Sequence, residues 1–141
     1  MTTEVVIKTD KLTKRYGDFI AANEITFEVY SGEIFGFLGA NGAGKTTAMK
    51  MLCGLSTPSS GDATIAGFDI YSQTENIKKN IGYMSQKFSL YEDLTVIENI
   101  NFFFFLYGMS DQNLKLKKDK LIETLSMQKE AKKLVGSLPF G

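Results

Sequence analysis

The sequence predicts an α/β fold, on three observations. Residues 33–38, E-I-F-G-F-L, are mostly apolar and read as a buried strand. They run directly into a glycine-rich stretch, Gly39 to Thr47, which reads G-A-N-G-A-G-K-T-T. From there no breaker precedes Gly54, so residues 45–55 read as a helix. Strand, glycine loop and helix in that order form one supersecondary unit, more informative than the loop string alone.

The remaining elements follow in chain order. Residues 5–9 are a short β-branched strand, and residues 19–27, continuing to Tyr30, a second, ended by the turn Ser31-Gly32. After the loop helix, residues 56–62, S-T-P-S-S-G-D, are a cluster of turn formers. Residues 63–66 and 68–71 read as short strands around Gly67. Residues 77–80 read as one helical turn, and 81–85 as a second core-type strand ending at Gln86. Strands thus alternate with one helix through residue 86, with extra strands suited to an antiparallel side sheet.

From Ser89 onwards the character is helical. Thr95-Val96-Ile97-Glu98 is a capping box, in which Thr95 accepts from the Glu98 N–H and Glu98 reaches back. The helix runs to about Tyr107, with Val96, Ile97, Ile100, Phe103, Phe104 and Tyr107 on one face. That face is expected in the core; Phe102, Phe105 and Leu106 lie elsewhere and are interface candidates. Residues 111–125 form a further amphipathic helix with Leu114, Leu121, Ile122 and Leu125 inward. Its lysines (Lys115, Lys117, Lys118, Lys120) read as a solvated face, not a nucleic-acid patch. The expected division is a core over residues 1–86 and a helical part over 87–141.

Composition narrows the function classes. A chain of 141 residues can bury one respectable core. Sixteen basic and sixteen acidic residues cancel, so no global field draws nucleic acid or anionic lipid. Histidine is absent, which removes His metal sites and any His general base. Cys53 has no internal disulfide partner, which fits a reducing compartment, and reads as a small apolar filler. Residues 1–14 mix charges and apolar residues, unlike a secretory signal. The most apolar run, residues 102–106, is far shorter than the ~20 residues a membrane helix needs. The expectation is a soluble chain, reaching any membrane through a partner.

The loop fits G-x-x-x-x-G-K-[ST] through Gly39, Gly44, Lys45 and Thr46. Glycines at 39, 42 and 44 let consecutive N–H groups form a concave nest without Cβ clashes, and Asn41 and Ala43 complete its backbone. The first turn of the helix adds unpaired N–H groups and the positive end of its dipole. Lys45 brings a compact cation to β- and γ-phosphates, Thr46 offers Mg²⁺ a hydroxyl, and Thr47 can reach the α-phosphate side. A nucleoside triphosphate is the expected ligand.

A phosphate loop alone does not separate GTPases, kinases and transport ATPases; the surrounding residues do. Leu12-x-Lys14-x-Tyr16-Gly17, then Ser31-Gly32-Glu33-Ile34-x-Gly36, then N-G-A-G-K-T-T, then Gly54-Leu55 with Pro58 and Gly61, resembles the ATPase subunit of an ATP-binding cassette (ABC) transporter. Ile81-Gly82-Tyr83-Met84-Ser85-Gln86 and Leu90-Tyr91-x-x-Leu94-Thr95-Val96-x-Glu98-Asn99 continue the resemblance to the C-terminus. Leu94-Thr95 to Asn99, with the Phe-rich run and Leu106-Tyr107-Gly108, is most similar to exporters of drug, polysaccharide or lipid type.

The resemblance implies a P-loop NTPase core with an antiparallel β side sheet and the start of an α-helical subdomain, a truncated ABC ATPase domain. It implies ATP and Mg²⁺ as cofactors, with Tyr16 as the aromatic that stacks on adenine and Gln86 as the Q-loop amide that ligates Mg²⁺ or water. Lys45 and Gln86 are its implied catalytic residues; Thr46 and Gln86 are the implied metal ligands. It implies a transmembrane permease partner docking around residues 87–107, a second ATPase subunit, no nucleic acid, and a place on the cytoplasmic face of the membrane. Two alternatives are a nucleotide-binding fragment without hydrolysis and a soluble cassette ATPase outside transport. The family's Walker B Asp and catalytic Glu have no counterpart here, nor has the switch histidine. Of the signature L-S-G-G-Q, only Leu138 and Gly141 match in Leu138-Pro139-Phe140-Gly141.

Overall fold

Alternation of charged and β-branched residues from Val5 onwards builds one long strand, β1 (Val5–Tyr16), which turns at Gly17 (φ 59°) into β2 (Phe19–Tyr30). The two pair antiparallel, with Tyr16 opposite Phe19 and Lys14 opposite Ala22. In the computed structural model the described residues are 4–39, 44–85, 87 and 89–139. Contacts divide the chain into two units, Met1–Tyr83 and Met84–Gly141.

In the first unit β1 continues seven residues past the expected end at Thr9, with Leu12 and Thr13 buried while Asp10, Lys11 and Arg15 stay exposed. The strand is kinked where Lys11 takes a positive φ of 48°. Thr13 repairs the ladder there: its hydroxyl accepts the Glu24 N–H at 3.0 Å and donates to the Lys11 carbonyl at 3.0 Å. On the other side of β1 lies β3 (Ser60–Ile65), followed by β4 (Phe68–Asp69), giving the antiparallel order β2-β1-β3-β4. Ala66 and Gly67, both at positive φ (52° and 80°), make the tight β3–β4 turn, matching the primed turn a two-residue hairpin favours. Two helices pack near this sheet: α1 (Lys45–Leu52) and α2 (Thr74–Lys79). Leu12, Ala22, Met51, Leu52, Ala63, Ile65, Ile70 and Ile77 form the buried core.

Residues 34–38 and 81–85 do not form strands, which corrects the expectation of a mixed sheet carrying both. The apolar alternation is nevertheless present in space. Phe35 and Phe37 turn towards Phe27, with ring centroids 4.9 Å and 5.1 Å from it, while Ile34 and Leu38 stay in solvent. A strand is defined by its hydrogen-bonded neighbour, and among the described residues neither run is paired into the sheet.

The second unit is built on α3 (Val96–Leu106) and α4 (Asp111–Thr124). The predicted capping box closes at Thr95: its side chain accepts the Glu98 N–H at 3.2 Å, and Glu98 accepts the Thr95 N–H at 2.7 Å. Two further free N–H groups of the first turn, at Val96 and Ile97, donate to the carbonyls of Lys133 (3.1 Å) and Ala131 (3.0 Å). Buried Asn99 ties the preceding loop down: its amide donates to the carbonyls of Tyr91 (2.9 Å) and Thr95 (3.0 Å) and accepts the Tyr91 N–H (2.9 Å). A short 3₁₀ turn, Val135–Ser137, follows. Tyr107 and Leu125, expected inward, are exposed, because each caps the C-terminus of its helix, where the last turn leaves the packed face. Phe102, Phe105 and Leu106 face outwards. Among the described residues, no helix is long and apolar enough to cross a membrane.

Candidate functional site

The site grows from the start of α1. Gly44 caps this helix with φ 86° and ψ 7°, a left-handed conformation that L side chains rarely adopt. Glycine is required here for a second reason: a Cβ at Gly44 would overlap the carbonyl oxygen of Ala21 in β2. The loop therefore enters the helix with its backbone pressed on β2. The Ala48 N–H closes the first helical bond to the Gly44 carbonyl at 2.9 Å. The first turn of α1 contains no acidic residue and no side-chain cap, so nothing local neutralises its positive end. On its inner face Ala48, Met51 and Leu52 are buried in the core, which holds the helix still.

Lys45 occupies the first helical position, half-buried, and its ammonium folds back to donate to the Gly39 carbonyl. The cation thus spans the loop from the helix to the end of the preceding segment. Thr46 is exposed and Thr47 half-buried on the same turn. Gly39, Gly44, Lys45, Thr46 and Thr47 are therefore gathered at one helix end. Asn41, Gly42, Ala43 and Gln86 lie outside the described residues.

Tyr16 is held close by. The Ala21 that touches Gly44 is two residues from Phe19, the partner of Tyr16 in the β1–β2 ladder. Strand spacings put about 8 Å between Ala21 and Tyr16. The Tyr16 side chain is 56% exposed, so its ring is open to a ligand. The Lys14 ammonium lies 5.1 Å from the ring centroid. Neither this cation nor the Ala21 carbonyl was assigned a role from sequence. The period-two spacing of Lys14 and Tyr16 on one strand face was the available signal. Cys53, at the end of α1, is buried, and burial pushes its thiol above the ordinary range, so at neutral pH it stays a protonated, apolar filler.

A glycine wedged at positive φ, a helix N-terminus free of acid and a lysine at its first turn define a phosphate-binding loop. Residues 22–141 match the family model of the ABC transporter, and the chain belongs to that family. It is 43% identical over 138 residues to the probable multidrug ABC transporter ATP-binding protein YbhF of Escherichia coli, covering 98% of this chain and 24% of that protein. To the bacitracin transport ATP-binding protein BcrA of Bacillus licheniformis it is 38% identical, over 96% of this chain and 44% of the relative. The chain thus spans less than half the length of these curated relatives. Among solved structures, an ATP-binding subunit of an ABC transporter superposes with a TM-score of 0.82 at 25% identity, over 95% of this chain and 56% of that one. The fold is also that of CbiO1 from Clostridium perfringens, with a TM-score of 0.84 at 22% identity over 97% and 57% of the two chains.

Proposed function

We propose that this chain holds Mg·ATP at the start of α1 and forms part of an ABC ATPase subunit that couples ATP to export through a transmembrane permease. The observation that carries the reading is Gly44, wedged against Ala21 at positive φ, which opens an acid-free helix N-terminus beside Lys45. The triphosphate would lie on the backbone N–H groups from Gly39 through Asn41, Gly42, Ala43 and Gly44 to Thr47, with Lys45 leaving the Gly39 carbonyl for the β- and γ-phosphates. Adenine would stack on the exposed Tyr16 ring.

Mg²⁺ would take the Thr46 hydroxyl and the Gln86 amide; it would neutralise charge on the phosphate oxygens. Hard oxygen donors of this kind suit it, and the exposed position of Thr46 on the first turn leaves room for the waters it retains. In this reading residues 1–86 are the nucleotide-binding core and residues 87–141 the Q-loop exit and part of the helical subdomain. The outward Phe102, Phe105 and Leu106 would belong to the partner-facing side, a second ATPase subunit would complete the dimer, and the protein would sit at the cytoplasmic face of the membrane. Names given to relatives for multidrug, bacitracin and Nod factor transport support export.

Calorimetric titration of the chain with Mg·ATP tests the site. Lys45→Ala removes a charge-assisted partner of the phosphates, and a loss of about tenfold or more is expected. Undiminished affinity in Lys45→Ala would put the nucleotide elsewhere.

A further inference from the structure

We propose that Lys14 is a positioning residue for the nucleotide base: its ammonium covers one face of the Tyr16 ring and commits the base to the other. The inference deepens the nucleotide reading above and rests on it. Three observations carry it. The Lys14 Nζ lies 5.1 Å from the Tyr16 centroid, inside the ~6 Å within which a cation is drawn to a ring face. The same ammonium donates to the Thr57 carbonyl at 2.6 Å, across 43 residues of chain, so this normally mobile side chain is anchored at its tip. The turn carrying Thr57 is itself sewn to β1. The Ser59 N–H donates to the Thr13 carbonyl at 2.8 Å, and the Ser59 hydroxyl accepts the Arg15 N–H at 2.9 Å.

The consequence is a fixed sandwich: turn carbonyl, ammonium, tyrosine ring, then base. An aromatic face is electron-rich, and two such faces stacked squarely repel. A cation on the far side draws density away, so the free face receives a purine better. Because the effect acts through the ring and not through base edges, it strengthens adenine and guanine nucleotides alike and leaves the bare phosphates untouched. Lys14 therefore acts through Tyr16, not on the reacting atoms.

Titrating the full chain with Mg·ATP, Mg·GTP and inorganic tripolyphosphate, each with Mg²⁺, tests this. Lys14→Met keeps the aliphatic stem and removes the cation. It should weaken ATP and GTP about two- to five-fold, the scale of an exposed cation–π contact, with tripolyphosphate unchanged. Lys14→Arg should restore affinity. In a Tyr16→Leu background Lys14→Met should have no further effect, since residues that act as one unit do not add. Thermal melts of each variant confirm folding. Weaker ATP binding in Tyr16→Leu but not in Lys14→Met would overturn the role of Lys14 and spare the stacking site. Equal losses for ATP and tripolyphosphate would make Lys14 a charge that attracts phosphate, which also overturns it. If Tyr16→Leu bound ATP normally, the stacking reading would fall, and the inference with it.

Discussion

Gly44 carries two separate constraints, and they can be measured apart. Its φ of 86° alone makes any side chain costly, about 1–3 kcal/mol for a non-glycine residue in a sparsely populated region. Gly67 has a similar φ of 80°, but a Cβ there would meet nothing within 4 Å. Gly44→Ala and Gly67→Ala therefore share the conformational cost, while only Gly44→Ala must also push α1 off the Ala21 carbonyl. We expect Gly44→Ala to lower stability to urea more than Gly67→Ala, and it alone to abolish nucleotide binding. Equal losses in the two variants would mean that the contact with β2 does not matter. The need for glycine at 44 is legible in the loop spacing, because a motif of eight residues specifies it locally. Its contact with Ala21 is not, since that depends on how a distant hairpin folds over the loop. The same limit hid the Lys14–Thr57 bond, whose partners are 43 residues apart.

At the scale of elements, α3 is specified by four residues before its first turn is complete. Thr95→Ala removes a side-chain acceptor at the N-cap and should cost about 1 kcal/mol. Asn99 is the more costly site. It is 3% exposed, and its loss leaves the Tyr91 N–H without an acceptor and takes a second donor from the Tyr91 and Thr95 carbonyls, which keep only their backbone partners Leu94 and Asn99. Asn99→Ala should thus destabilise the helix by about 2–3 kcal/mol, followed by the helical circular dichroism signal in urea. A smaller effect for Asn99→Ala than for Thr95→Ala would contradict this ranking. The capping box and the Gly67 turn were readable because adjacent residues make them. The strands expected at 34–38 and 81–85 were not, for the opposite reason. Their apolar alternation is real, and Phe35 and Phe37 do pack on Phe27, but a ladder also needs a neighbour that composition does not reveal. Helix ends failed in the same way: Tyr107 and Leu125 keep the apolar period and lose the packed face.

For the whole molecule, binding and turnover separate. Moving a phosphoryl group to water needs the nucleotide held, Mg²⁺ fixed from two sides, and a group that orients the attacking water. In the proposed reading the start of α1 supplies the first and, through Thr46, half of the second. The acidic residues that could supply the rest are engaged or misplaced. Asp69 accepts the Ser72 N–H and hydroxyl and the Tyr71 N–H, bonds that hold its carboxyl below the ordinary range and spend it on a local turn. Glu75 is paired with Lys78 at 2.8 Å, and Asp62 lies opposite Asp10 in the β1–β3 ladder. Glu92 and Asp93 are exposed in the loop before α3, and of the five only Asp69 ends a strand, the two-residue β4, where Ser72 and Tyr71 engage it. The resemblance to ABC ATPases adds that a partner's signature motif completes each site, and here Pro139 offers no hydroxyl at the matching place. We therefore expect the 141-residue chain to bind Mg·ATP with little or no steady-state hydrolysis, and a longer polypeptide carrying a Walker B strand to regain it. A phosphate-release assay on the purified chain decides between these. Turnover that survives at high purity and vanishes in Lys45→Ala would mean that this chain supplies its own water-orienting group.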